Sequence, residues 1–212
     1  MKLSTIVKNR AAYFYQKIKR NAKTIRNHVS LIGYCLFYSS REFSQNAPIS
    51  IRELCNIFKH LGHRINPRLI IRDSIEYQSI IKEKNVPHRS EDYIIRLVDS
   101  ISNYKPLIER MKKKQSNWNI KEYSEKLLNK SLSILHILSP KIRGSRNPFI
   151  LAGAVVYCSD KIIAKQFKIK PVLTQKIAST AMDIAEYSIR DHYVKVVKPF
   201  VQSKKNLTQL LS

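Results

Sequence analysis

The residues best suited to recognising another molecule gather near the end of this 212-residue chain. Tyr187, Ser188 and Arg190 lie within four positions of one another, and Lys195 and Lys198 follow. An arginine guanidinium is a rigid fork of donors. It can give two parallel hydrogen bonds to the edge of a guanine, worth about 1–3 kcal/mol of discrimination against the wrong base. Tyr187 can meet a thymine methyl or a phosphate. Tyr187, Ser188 and Arg190 are therefore the candidate base contacts, and Lys195 and Lys198 are candidate phosphate contacts. The competing reading of Arg190 is a solvated ion pair with Glu186, four residues earlier on the same helix face. Asp191 is unfavourable beside phosphates and weighs against the DNA reading.

This chemistry needs a helix held so that its first turns face a groove. The sequence supplies the elements. Residues 174–182 and 186–200 read as helices, with only Asp183, Ile184 and Ala185 between them, which is the spacing of a helix-turn-helix. At 100° per residue, Ala185, Ile189, Tyr193, Val196 and Phe200 form one packing stripe on the second helix. Tyr187, Arg190, Asp191, Val194 and Lys198 fall opposite or beside it. Thr174, Gln175 and Lys176 open the first helix and are further phosphate candidates. So are Ser145, Arg146 and Asn147, which precede a helix starting at Pro148. Free N–H groups and the positive dipole end at a helix N-terminus favour an anion; the alternative there is ordinary capping.

The charge of the whole chain points the same way. A formal net charge of +24 concentrates polyanions at the surface, and nucleic acid is the expected partner. The run Lys112-Lys113-Lys114 adds salt-sensitive affinity without sequence preference. No apolar run approaches the roughly 20 residues that span a bilayer. No continuous apolar segment with a cleavage site opens the chain, so an intracellular location and no membrane partner are expected. Cys35, Cys55 and Cys158 are too scattered for a zinc ribbon or finger and read as small core residues. Four glycines leave no phosphate-cradling loop. His60 and His63 lack a third ligand nearby, and no nucleophile–base constellation is evident. A non-enzymatic protein is expected, with no catalytic residue, no metal and no cofactor.

Helical periodicity dominates and hairpin signals are weak, so the expected class is all-α. Helices are expected over residues 5–23, with Ile6, Ala11, Phe14 and Ile18 on one face, and over 27–44. Ser50 with Glu53 forms a capping box for the next, which ends near Gly62. Others are expected over 67–82, from Ser90 to about Ser102, and over 123–138. Residues 106–119 read as a basic loop or a short extended helix, with Trp118 as a local anchor. Asn85-Val86-Pro87 is the linker candidate.

The two halves repeat each other. LIGYCLFYSSR, SIRELCNIF and LIIRDSIEYQSII in the first answer to ILAGAVVYCSDK, TQKIASTAM and YSIRDHYVKVV in the second. Tyr38 aligns with Tyr157 and Ser50 with Thr174. Ile71-Arg72-Asp73 aligns with Ile189-Arg190-Asp191. Two tandem repeats of about five helices are expected, over 1–85 and 86–200, with a C-terminal tail at 201–212.

Gly144-Ser145-Arg146-Asn147-Pro148, then AGAVVY, then Thr174-Gln175, then Ser188-Ile189-Arg190 with Tyr193, resemble the second cyclin-like repeat of archaeal transcription factor B and eukaryotic transcription factor IIB. The stretch from Pro87 through Ser90-Glu91-Asp92-Tyr93-Ile94-Ile95-Arg96 resembles that repeat's opening. Tyr38-Ser39-Ser40-Arg41, Ser50 with Glu53, and Arg72 carry the weaker likeness of the first half. The resemblance covers about residues 5–200. It implies tandem cyclin-like five-helix repeats, the second ending in the helix-turn-helix. It also implies a transcription initiation factor that binds double-stranded promoter DNA together with TATA-binding protein, in an archaeal cytoplasm or nucleoid or in a nucleus. RNA polymerase or another initiation factor would be a further partner. The family's zinc ribbon has no counterpart in the matched stretch, so a regulatory or divergent paralogue is implied. Ala185 stands where the family favours a capping Thr, and the Lys-rich segment 105–119 is longer than usual there. The rival expectation is a cyclin-fold protein adaptor without sequence-specific DNA binding. A non-specific helical DNA packager is the third.

Overall fold

The computed structural model describes residues 3–43, 49–82, 88–114, 119–144, 146–203 and 210. Pro48, the 85–87 linker candidate, Trp118 and Ser145 lie outside the described residues. Among those described, the protein is all-helical, with no strand. The chain divides into two compact units, Met1–His88 and Arg89–Ser212.

The first unit contains α1 (Thr5–Asn21), α2 (His28–Phe43), α3 (Ile51–His60) and α4 (Pro67–Ile81). These are four helices among the described residues, against the five expected of a repeat. Each start is set locally. The Ser4 hydroxyl accepts from Val7 N–H. At α3 both arms of the capping box form: Glu53 N–H donates to Ser50 Oγ at 3.2 Å, and Ser50 N–H donates to Glu53 Oε2 at 2.9 Å. Asn66 caps α4 ahead of Pro67. Helix α1 buries Val7, Ala11, Phe14 and Ile18, so the expected stripe is corrected at its first member. Ile6 points to solvent and Val7 takes its place. Helix α2 crosses the unit's core through Leu31, Cys35 and Tyr38. Gly33 lets α3 and α4 close on it: an added Cβ would lie 3.1 Å from Ile70 Cδ1 and 3.2 Å from Phe58 Cε2.

The second unit contains α5 (Glu91–Ser102), α6 (Lys105–Lys114), α7 (Ile120–Ile137), a single turn α8 (Pro140–Arg143), α9 (Pro148–Gln166), α10 (Gln175–Met182), α11 (Glu186–His192) and α12 (Lys198–Gln202). Helix α9 is its axle. Thirteen of its nineteen residues are buried, and it packs against α5, α7, α10 and α11. Leu210 also joins this core, and Lys130 Nζ donates to its carbonyl oxygen. Of the two readings of the basic segment, a loop or a short extended helix, the helix holds over Lys105–Lys114. Leu107 and Met111, four apart, are buried and give α6 an apolar stripe under its lysines.

Two expectations about the repeat and the last helix fail on packing. The Ile-Arg-Asp match does not join equivalent faces. Ile71 is 53% exposed, whereas Ile189 is fully buried. In α4 the inward isoleucine is Ile70, one position earlier. Nor is 186–200 one regular helix. A π-helical turn at Tyr193–Val197 separates α11 from α12. Pro199 gives the physical reason. It has no N–H to donate, and its ring would clash with the carbonyl four residues before it in an α-helix. Widening the preceding turn relieves both problems. The inserted residue shifts the later stripe, so Val196, Val197 and Val201 are buried while Phe200 is only half-buried; before the turn, Ile189 is buried as expected and Ala185, the cap position, is exposed.

Candidate nucleic-acid interface

The helix-turn-helix is positioned by short-range chemistry at its turn. The Thr174 hydroxyl accepts from Ile177 N–H at 3.1 Å and so starts α10. The helix stops because Asp183 adopts a left-handed conformation, φ 51° and ψ 45°. Its N–H and that of Ile184 both return to Ser179 O, the latter at 3.1 Å. Ser179 Oγ in turn donates to Ile184 O at 2.7 Å. These bonds satisfy the last carbonyls of α10 and fix the exit angle of the chain.

Ile184 then plugs the turn into α9. It is buried directly over Gly153, where a Cβ would overlap its Cδ1; Met182 lies just beyond. The approach to α10 is pinned by Asp160, buried on α9. Its carboxylate accepts from Tyr123 OH at 2.8 Å, Val172 N–H at 3.2 Å and Leu173 N–H at 2.9 Å. Burial pushes the Asp160 carboxyl above the ordinary Asp range, and the three donors oppose that shift without reversing it. Burial raises the Tyr123 hydroxyl well above its usual value, with the neighbouring Asp160 charge adding to it. That tyrosine stays protonated and donates.

On the helix so held, Tyr187 is 75% exposed, Arg190 is exposed and Ser188 is half-buried. Among the described residues no ion pair joins Arg190 to Glu186 or to any other carboxylate, so its donors face solvent. Asp191 is engaged instead, with Lys195 Nζ 2.5 Å from its Oδ1. The hydrogen bond from Lys195 holds the Asp191 carboxyl below its ordinary range, and the same bond raises the Lys195 ammonium. Arg146 acts electrostatically on both members of that pair, and Tyr187 on Lys195. Arg146, in the loop before α9, thus lies within electrostatic range of the Asp191–Lys195 pair.

Other candidates fare differently. Asn147 is committed to capping: its Oδ1 accepts from Phe149 N–H at 3.0 Å and Ile150 N–H at 3.3 Å. Thr174 is likewise a cap; beside it Gln175 is half-buried and Lys176 exposed. Ser145 lies outside the described residues. Lys198 parts from the others, because the π-helical turn carries it beside Lys161 and Lys165 of α9. Among the described residues, no three His, Cys, Asp or Glu side chains gather as a metal site would require, and no described helix is long and apolar enough to cross a membrane.

Sequence reasoning missed Asp160 and the electrostatic reach of Arg146 to the Asp191–Lys195 pair. The first carried a signal: a carboxylate in the middle of the apolar run AGAVVYCSD must find buried donors. The second carried none, since it depends on how α9 and α11 pack.

A scan of the chain against protein-family models gives no match, and a search of curated proteins gives none either.

Proposed function

We propose that this protein binds double-stranded promoter DNA through the exposed face of α11, acting with a TATA-binding protein as a transcription-initiation-factor-like protein. The observation that carries the DNA reading is Arg190. It is an exposed guanidinium with no ion pair among the described residues, on a helix whose entry angle is fixed by Ile184, Ser179 and Asp183. Arg190 would read a guanine, with Tyr187 and Ser188 touching neighbouring base edges. Arg146, Lys176 and Lys195 would meet phosphates on either side, and the +24 charge would speed encounter with DNA. Binding of this kind involves no chemical step, metal or cofactor.

The TATA-binding protein partner rests on the resemblance of 144–193 to the second cyclin-like repeat of transcription factors B and IIB, as does the assignment of the two units as tandem cyclin-like repeats. RNA polymerase or another initiation factor belongs to the same reading. A gel shift with TATA-binding protein on a promoter fragment tests both parts. The expected result is a slower ternary complex whose preference for bases beside the TATA box relaxes with Arg190→Ala. Absence of the ternary complex, with Arg190→Ala indistinguishable from the parent on DNA alone, would overturn the proposal.

A further inference from the structure

The π-helical turn has a consequence apart from DNA. In a π-turn, residues five apart fall on one side, whereas in an α-helix they diverge. Lys198 N–H donates to Tyr193 O in this i+5 pattern, which aligns Tyr193 and Lys198. Helix α9 faces them with Lys161 and Lys165, four apart. Between these elements lies an open-mouthed cavity of about 380 Å³. Among the described residues three lysines open onto it and no carboxylate does. None of the three forms an ion pair among the described residues.

One of the three, Lys161, is held as well as gathered. Lys161 Nζ stands 4.9 Å from the centroid of the Tyr157 ring and 5.7 Å from that of Tyr193. The two rings meet edge-on, with centroids 5.1 Å apart. This aromatic corner fixes the ammonium while leaving donors for another partner. The buried side chains of Ile162 and Val201 give the cavity an apolar floor. Burial pushes the Tyr193 hydroxyl up to about 12, so it remains a donor at neutral pH.

Three ammonium groups around one cavity repel each other, and an anion relieves that repulsion. The volume lies within the roughly 300–1,000 Å³ of small-molecule sites and exceeds what a lone inorganic anion fills. We propose that this cavity binds a phosphate-bearing small molecule, with Lys161, Lys165 and Lys198 on the phosphate and the apolar floor under the remainder. A duplex carries its phosphates on the outside of a rod, and such a rod does not reach a buried floor of this kind. The site stands apart from the DNA reading and does not depend on it.

Titration calorimetry of the whole protein with phenyl phosphate at about 0.15 M salt, where long-range surface fields are largely screened, tests this. Saturable binding of one ligand per chain is expected. Lys161→Gln and Lys198→Gln should each weaken it about tenfold or more, as loss of a charge-assisted bond does. The Lys8→Gln, Lys19→Gln double variant removes more charge from exposed positions of α1 and should leave it unchanged. No saturable binding, or equal weakening by all variants, would overturn the proposal. Displacement of phenyl phosphate by a DNA duplex whose own binding Lys198→Gln weakens to the same degree would also overturn it, by making the cavity a DNA-backbone contact.

Discussion

Ile184 of the interhelical turn lies in van der Waals contact with the bare backbone of Gly153, at a point on α9 where a Cβ would overlap its Cδ1. One hydrogen atom on a buried helix therefore sets how deeply the helix-turn-helix docks. Alanine is a better helix former than glycine by about 0.5–1 kcal/mol, so on propensity alone Gly153→Ala would stabilise the protein. The overlap decides otherwise, because overpacking a close-packed core costs about 1–3 kcal/mol. Gly153→Ala should lower the unfolding midpoint in denaturant. Adding Ile184→Val, which removes the offending methyl, should restore part of the loss. Strict additivity of the two substitutions would show that the contact does not limit packing.

Arg190 and Lys195 should separate in a salt titration. Arg190→Ala, as a base contact, is expected to cost about 1–3 kcal/mol on a preferred duplex and little on a scrambled one. Lys195→Ala should weaken both duplexes alike and reduce the slope of log K against log salt by about one. Fluorescence anisotropy over a range of salt concentrations measures both. Identical profiles for the two variants would remove the distinction between base and phosphate contact on α11.

Asp191 offers a test with the opposite sign. Its carboxylate is bonded to Lys195 and lies in the field of Arg146. On the proposed DNA face it would oppose binding directly, and it also occupies a cation. Asp191→Asn should therefore tighten DNA binding and steepen the salt dependence. Because hydrogen bonding to Lys195 depresses the Asp191 carboxyl, it stays ionised until the pH falls below the ordinary Asp range. The gain from Asp191→Asn should then be constant across neutral pH. Weaker binding by Asp191→Asn would mean that the pair orients Lys195 rather than restraining it.

The cysteines give a simpler check on the core. Burial pushes the Cys35 and Cys158 thiols up to about 12 and raises that of Cys55 as well. The thiolate is the reactive form, and all three side chains are buried. A thiol reagent at neutral pH should label the native protein slowly and the denatured protein at three positions. Rapid labelling of Cys158 in the native state would mean that α9 is not the closed axle described above.

Much of this architecture was legible from spacing alone. The cap at Ser50 with Glu53, the stop near Gly62, Pro67 at a helix start and the short turn at 183–185 are all local, so local chemistry announces them. What stayed hidden depends on phase or on distant packing. Ile71 and Ile189 share their neighbours in sequence but not their faces, because one residue of offset in a helix is about 100°. The stripe assigned to 186–200 assumed unbroken periodicity. Pro199 was the visible warning that the preceding turn would have to widen. Leu107 and Met111 were masked by the lysines around them, although two apolar residues four apart suffice to seat α6. The electrostatic influence of Arg146 on Lys195 could not be read from spacing, since it arises only after α9 has folded against α11.

Asp160 supplies the remaining prediction, because a buried carboxylate couples folding to pH. Burial raises its carboxyl in the folded protein above its unfolded value near 3.9. The native state then holds the proton more tightly than the unfolded chain does. The stabilisation from this group is present in full below the unfolded value and is lost as pH rises through the folded one, at most ~1.4 kcal/mol per pH unit. Asp160→Asn cannot titrate. It also turns an NH₂ donor toward the N–H groups of Val172 or Leu173, which should cost about 1–3 kcal/mol. Denaturant unfolding of parent and variant across acid to neutral pH should show the parent more stable throughout, with its advantage shrinking as pH rises and then levelling. An advantage that grows with pH would mean that the three donors outweigh burial and hold the carboxylate ionised. Tyr123→Phe removes the strongest side-chain donor to Asp160 and should move the levelling point to higher pH, a displacement that loss of packing alone would not produce.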